Sequence, residues 1–202
     1  MSTAVSSERN PGAAPQAKAR AAGACWLLVI VTGALAMVVG GRLGVAANLA
    51  ATAFYAAATV LVYQLLKPVN AGLSLLAAIF SFAGCAVGVL GSLFHVPVGR
   101  LAFVFFGLHC LLVGYLIFRS TFLPRFVGAL MALGGTSWLT LGLASLVSPP
   151  LVRLLSPYIL IPGIVGEASL SLWLLVRGVN VERWREQAGA AGEWRSQLAT
   201  HA

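Results

Sequence analysis

The sequence has no aspartate, and its five acidic residues stand against thirteen Lys and Arg in a chain of 202 residues. Charged residues make up 9% of it, where a soluble domain carries about a quarter. A surface built to face water is therefore excluded. So are the common hydrolytic and nucleotide-driven machineries, because no Gly-x-Ser-x-Gly, His-Glu-x-x-His or P-loop occurs. The three cysteines, Cys25, Cys85 and Cys110, are odd in number and follow no metal or redox spacing. They read as small hydrophobes inside apolar runs. Basic residues are scattered singly at the ends of those runs, without the aromatic interleaving of a nucleic-acid groove, so no nucleic-acid partner is expected.

What remains is apolar. Hydrophobic residues are 59% of the chain, the mean hydropathy is +0.93, and there are 22 glycines. Six runs, at about 24–40, 44–66, 71–94, 99–118, 126–147 and 156–176, approach the ~20 residues a bilayer core requires. Continuous runs of that length predict helices rather than barrel strands. The breaks are Gly40-Gly41, Lys67-Pro68-Val69-Asn70, His95-Val96-Pro97-Val98-Gly99, Ser120 to Arg125, and Ser148-Pro149-Pro150. Loops this short make neighbouring helices antiparallel. The expected fold is all-α: a six-helix membrane domain over 23–180, after a disordered tail at 1–22 and before a juxtamembrane tail at 181–202. In that tail Trp184 suits an interfacial anchor.

Orientation follows from the cations. Arg9, Lys18, Arg20, Lys67, Arg119, Arg125, Arg177, Arg183, Arg185 and Arg195 fall on one side, and Arg42, Arg100 and Arg153 on the other. That bias predicts both termini in the cytoplasm. The long lead before the first run and the tight Gly40-Gly41 turn after it argue against a cleaved signal peptide. Eleven Arg to two Lys fits a GC-rich bacterial genome, and hence an inner-membrane protein.

Against this background the stretch FFGLHCLL at 105–112 places His109 in an uncharged run, and PGIVGEAS at 162–169 does the same for Glu167. Each precedes a flanking arginine, Arg119 or Arg177, by ten residues on helices expected to run the same way. At ~1.5 Å per residue both lie about 15 Å from one boundary, near mid-bilayer. An isolated charge there costs at least ~2.5–3.5 kcal/mol, which favours pairing the two. Gly163, Glu167 and Ser171 share one face at i, i+4 spacing, and Pro162 is expected to kink the helix one turn before the carboxylate. Asn48 reads as interhelical glue, and Thr136, Ser137 and Thr140 as bonding their own backbone. The small residues Ser81, Gly84, Gly88 and Gly91 give the third run a smooth contact face. Tyr63, Tyr115, Tyr158 and Trp173 fall toward run ends, as interface anchors do. No cofactor or metal is expected. His95 sits at the edge of its run, leaving no second mid-membrane histidine for haem. The adjacent His109 and Cys110 point about 100° apart, so four metal ligands do not converge.

The stretches FFGLHCLLVGYLIFRSTFLPRFVGALMALGG (105–135), YQLLKPVNAGLSLLAAIF (63–80) and GEASLSLWLLVRGV (166–179) carry a resemblance. From about residue 24 to 180 the chain resembles the bacterial six-span membrane proteins catalogued as domain of unknown function 4386. His109, Glu167 and Trp173 sit where the resemblance has the same residue types, and the resemblance implies no activity. The chain departs from the pattern after the first span, reduced here to Gly40-Gly41-Arg42, and in its short third-to-fourth loop. Asn48, Tyr55 and Ser81 stand where the resemblance implies two aspartates and an arginine. Losing such a cluster together avoids stranding one buried charge, at about 3–5 kcal/mol.

Two functions fit these residues. One is a small proton-linked carrier or permease using His109 and Glu167, with the substrate open. The other is a non-catalytic membrane component, a homo-oligomer or a partner of another membrane protein, in which the pair only fixes helix packing. An enzyme is not expected, since one His and one Glu would have to supply all the acid–base chemistry. The lipid bilayer is the one partner expected under every reading.

Overall fold

The computed structural model describes residues 13–94 and 100–200. They form seven helices: α1 (Ala13–Val39), α2 (Gly41–Leu66), α3 (Ala71–Phe94), α4 (Ala102–Arg119), α5 (Arg125–Val147), α6 (Pro149–Val176) and α7 (Val181–Thr200). There is no strand among the described residues, and six of the helices are long and apolar enough to cross a membrane. The break at 95–99, with His95, lies outside the described residues.

Turn chemistry sets the boundaries. Gly40 and Gly41 take φ 62° and 55°, the left-handed region that lets α1 reverse into α2 within two residues. Asn70 closes the α2–α3 turn, its side-chain oxygen accepting from Leu73 N at 2.9 Å as an N-cap does. Pro124 and Ser148 are extended and stop helix on either side of α5.

Two boundaries differ from the sequence expectation. The tail expected at 1–22 is helical from Ala13, and Ala19 and Ala22 are fully buried. Its alanines favour helix, and Gln16 ties it down by donating to Arg177 O at 3.0 Å and accepting from Val179 N at 3.1 Å. Residues 1–12 lie outside the described part. The sixth helix begins at Pro149, because proline at the first helical positions starts a helix rather than breaking one. It runs as continuous helix through Pro162.

Each of α1 to α6 packs on its neighbours in sequence, and α1 closes a ring against α6. The tightest seam joins α4 to α5, where glycines bring the backbones together. A Cβ on Gly114 would stand 2.8 Å from Ala132 N, and one on Gly135 2.7 Å from Leu111 N. Gly84 of α3 meets the Phe106 side chain rather than a backbone, and a Cβ on Gly88 would stand 3.7 Å from Ala102 Cβ, so the 81–91 face contacts α4 through side chains.

The segment after α6 is folded rather than a loose tail. Asn180 caps α7 through Arg183 N at 3.1 Å. Trp184 Nε1 donates to Leu65 O at 2.9 Å, and Gln187 Oε1 accepts from Thr121 N at 3.1 Å. The helix thus rests on the α2–α3 and α4–α5 turns. Lys18, Arg20, Lys67, Arg119, Arg125, Arg177, Arg183 and Arg185 are all exposed at this basic end. Arg42, Arg100 and Arg153 belong to the opposite end, called here the far end.

Candidate functional site

Every helix of the ring sends a group to one buried cluster near mid-length. Trp26 comes from α1, Tyr55 from α2, Ala77 O and Ser81 from α3, His109 and Cys110 from α4, Trp138 from α5 and Glu167 from α6. His109 is 1% exposed and Glu167 7%. Both are buried within the ring of helices.

The direct pairing of His109 with Glu167 is not what the fold makes. His109 Nδ1 lies 2.8 Å from Ala77 O, and a carbonyl only accepts, so Nδ1 carries the proton. That fixes the tautomer and leaves a lone pair on Nε2, which is buried without a hydrogen-bond partner. Glu167 instead receives Cys110 Sγ at 3.9 Å on Oε1. The two residues reach equal depth, but Trp26 stands between their roles. Its ring stacks on His109 with centroids 5.9 Å apart, and its indole N–H lies beside the Glu167 carboxylate together with that of Trp138. Neither indole attains hydrogen-bond geometry, so Trp26 Nε1 and Trp138 Nε1 also stay unpartnered.

Aromatic rings enclose the rest. Tyr55 lies 5.7 Å from the His109 centroid, 5.6 Å from Trp26 and 4.7 Å from Phe106. Its hydroxyl stands 3.9 Å from Cys110 Sγ. Thr59 and Ser81 join behind it at 2.5 Å, with Thr59 Oγ1 also donating to Tyr55 O.

The supporting residues expected from sequence divide. Gly163 is buried against the Trp138 ring, and Ser171 donates to Gly23 O at 2.9 Å, so both seat the Glu167 face of α6 on its neighbours. Pro162 is half-buried at a close contact of its carbonyl with Gly134. Asn48 lies away from the cluster and bonds Ser92 Oγ at 2.6 Å, gluing α2 to α3. Thr136, Ser137 and Thr140 bond backbone carbonyls of their own helix. No group of three or more His, Cys, Asp or Glu is arranged to hold a metal among the described residues.

Sequence reasoning missed Trp26, Tyr55, Cys110 and Trp138. For Trp138 a signal existed. It follows Arg125 by thirteen residues, too deep for an interfacial indole, and an indole at mid-depth needs something to receive its N–H.

The two approaches to the cluster differ. Toward the basic end Val62, Leu65, Leu66, Val113, Ile117, Leu123, Leu170 and Leu174 line a small void of about 10 Å³ that offers a water no polar partner. Toward the far end, α1 after Trp26 and α6 before Gly163 bury no residue among those described.

Six apolar helices closed into a ring around a polar centre define a multi-pass, all-helical membrane protein. The model of the family described as Domain of unknown function (DUF4386) matches residues 98–178. An uncharacterised protein of Archaeoglobus fulgidus is 30% identical over 130 residues, covering 59% of this chain and 74% of that protein. The chain belongs to this family of unknown function. No solved structure matches it.

Proposed function

We propose that this is a small proton-linked carrier of the bacterial inner membrane, with both termini in the cytoplasm and Glu167 as its protonatable centre. The observation that carries the reading is a buried carboxylate, Glu167, in a cluster where Trp26 Nε1, His109 Nε2 and Trp138 Nε1 lack a hydrogen-bond partner. Buried polar groups in native folds are nearly always satisfied. A cluster that only pinned helices would leave none open, whereas a site that takes up protons or solute leaves some open between cycles. Access supports the same reading, since buried apolar side chains cover the cluster toward the basic end, whereas α1 and α6 bury no described residue toward the far end. The excess of cations at the basic end sets the orientation by the positive-inside rule.

The test is proton uptake by proteoliposomes under an imposed gradient. Glu167→Gln is expected to lower the protein-dependent rate by on the order of tenfold, since it removes the buried group that exchanges a proton. Equal rates for the two proteins at every pH, with a folded variant, would sink the carrier.

A second reading has its own support. His109 ties α4 to α3 through Ala77 O, and Ser171 ties α6 to α1 through Gly23 O. In a non-catalytic membrane component those bonds are the whole purpose of the cluster. Its signature is a Glu167→Gln protein that melts earlier and moves no fewer protons.

A further inference from the structure

We infer that the rim of the basic end around the α4–α5 turn is a docking surface for an anionic phospholipid, whose headgroup phosphate is held by Arg119, Arg125 and Arg183. The inference rests on the charges and contacts of that end and is independent of the carrier reading.

The three guanidinium groups belong to one turn. Arg119 ends α4 and Arg125 begins α5, with only Ser120 to Pro124 between them. Arg183 reaches the same turn from α7. Its Nη1 donates to Thr121 O at 3.4 Å, while Thr121 Oγ1 donates back to Arg183 O at 3.5 Å. Gln187 Oε1, accepting from Thr121 N at 3.1 Å, holds α7 in that place. Arg125 lies over the Phe118 ring, 5.9 Å from its centroid. A backbone carbonyl and a ring face orient these cations without neutralising them, and all three side chains are exposed. Guanidinium groups present planar forks of N–H donors that match phosphate oxygens.

The neighbouring side chains favour a lipid. Tyr115, Phe118 and Phe126 are exposed beside Arg119 and Arg125. On helices that cross a bilayer, exposed rings within a turn of such cations lie at the boundary of the acyl chains, with the cations at headgroup depth.

The outer face of α7 disfavours an acidic protein. Trp184 faces the ring, where it donates to Leu65 O. At about 100° per residue, Arg183 and Arg185 fall to either side of Trp184. Glu182, Glu186 and Glu193 fall on the opposite face of the helix, and all three are exposed. An acidic partner arriving from water therefore meets carboxylates first. A phospholipid arriving in the plane of the membrane meets the guanidinium groups first.

The experiment is native mass spectrometry of the purified full-length protein released from a nonionic detergent. Dioleoylphosphatidylglycerol and dioleoylphosphatidylcholine are offered together in equal amounts. The first lipid retained is expected to be the phosphatidylglycerol, preferred on the order of tenfold. Combining Arg119→Gln, Arg125→Gln and Arg183→Gln is expected to reduce that preference to no more than about twofold. The matched control combines Arg42→Gln, Arg100→Gln and Arg153→Gln at the far end. It removes the same charge and is expected to keep a preference on the order of tenfold. Equal retention of the two lipids by the wild type overturns the inference, whether or not either variant folds. An equal fall in both triple variants overturns it too, since net charge rather than this turn would then attract the lipid. Two competitors separate the source of the anion. Displacement of phosphatidylglycerol by glycerol 3-phosphate at equal concentration would assign the turn to a soluble phosphate. Displacement by hexaglutamate would assign it to an acidic protein segment. Either result overturns the lipid, and failure of both competitors supports it.

Discussion

Leu116 and Ile117, in the basic half of α4, expose nothing, whereas Val38 and Val147, equally apolar and near the far ends of α1 and α5, are 84% and 81% exposed. The contrast runs through the molecule. The contiguous buried core, from Ala19 and Ala22 through Leu65, Val113, Met131 and Leu174, belongs almost wholly to the basic half. In the far half α1, α3 and α6 bury no residue beyond Trp26, beyond Cys85 and before Gly163, respectively, among those described. The α4–α5 seam and the start of α2 are exceptions: a Cβ on Gly142 would meet Val104 N at 2.7 Å, and Gly44, Ala47 and Ala51 are buried, with a Cβ on Gly44 3.1 Å from Ala36 O of α1. Under the proposed carrier reading, the less buried far parts of α1, α3 and α6 are the parts expected to move. The polar cluster lies at the junction of the two regimes, where a change in the loose half is felt by the carboxylate.

The largest test of this contrast uses two glycines of one helix. A Cβ on Gly23 would stand 2.6 Å from Leu175 N and 2.7 Å from Ser171 O, both backbone atoms that cannot step aside. Gly33, ten residues on, has nothing within 4 Å. Gly23→Ala is expected to force α1 off α6 and to cost about 1–3 kcal/mol or more, the usual range for overpacking. Gly33→Ala is expected to change stability by no more than about 1 kcal/mol, with the sign that helix propensity gives. Thermal denaturation of both variants in one detergent checks the pair. Equal melting temperatures would mean that the two halves of α1 are held alike.

A smaller effect is expected at α7, which caps the packed end. Trp184→Phe keeps the ring but removes the donor to Leu65 O, a loss of about 0.5–1.5 kcal/mol for a hydrogen bond of this kind. Amide exchange is expected to rise in α7 and in the Leu66–Asn70 turn beneath it, with α4 and α5 unchanged. A rise spread evenly over the ring would show that α7 is part of the global fold rather than a separately docked cap.

The sequence was informative wherever one physical constraint acted alone. Run lengths set by bilayer thickness yielded six helices, and the Gly40-Gly41 and Lys67-Asn70 turns fell where glycine and proline chemistry demanded. Counting residues from Arg119 and Arg177 put His109 and Glu167 at one depth, because rise per residue is nearly constant in a helix. Partners were another matter. Which carbonyl receives His109 depends on the rotation of α4 against α3, and no spacing within one helix encodes it. Trp26 was missed because its helix begins at Ala13, eleven residues before the apolar run. The polar Gln16, Lys18 and Arg20 hid a helix that alanine and a tether to α6 hold in place. Tyr55 was visible only as a substituted position, and its contact with His109 needs both helices to be in place.

The smallest expected difference compares two interhelical bonds of one chemical kind. Ser171 Oγ to Gly23 O joins α6 to α1 beside the packed half, and Asn48 Nδ2 to Ser92 Oγ joins α2 to α3 in the far half. Side-chain bonds between membrane helices average about 0.6 kcal/mol, because a side chain freed in the membrane finds other partners. Ser171 is wholly buried, at the close approach of α6 to α1 around Gly23. Asn48 and Ser92 are only half-buried, and Ser92 can turn to its own helix backbone when Asn48 is cut to alanine. Ser171→Ala is therefore expected to cost up to about 1.7 kcal/mol, the upper end of the membrane range, and Asn48→Ala no more than the average. A double-mutant cycle for Asn48 with Ser92 measures the far-half bond directly. A coupling energy there as large as the Ser171 loss would make the far half no looser than the packed one, and the proposed moving parts would have to be sought elsewhere in the ring.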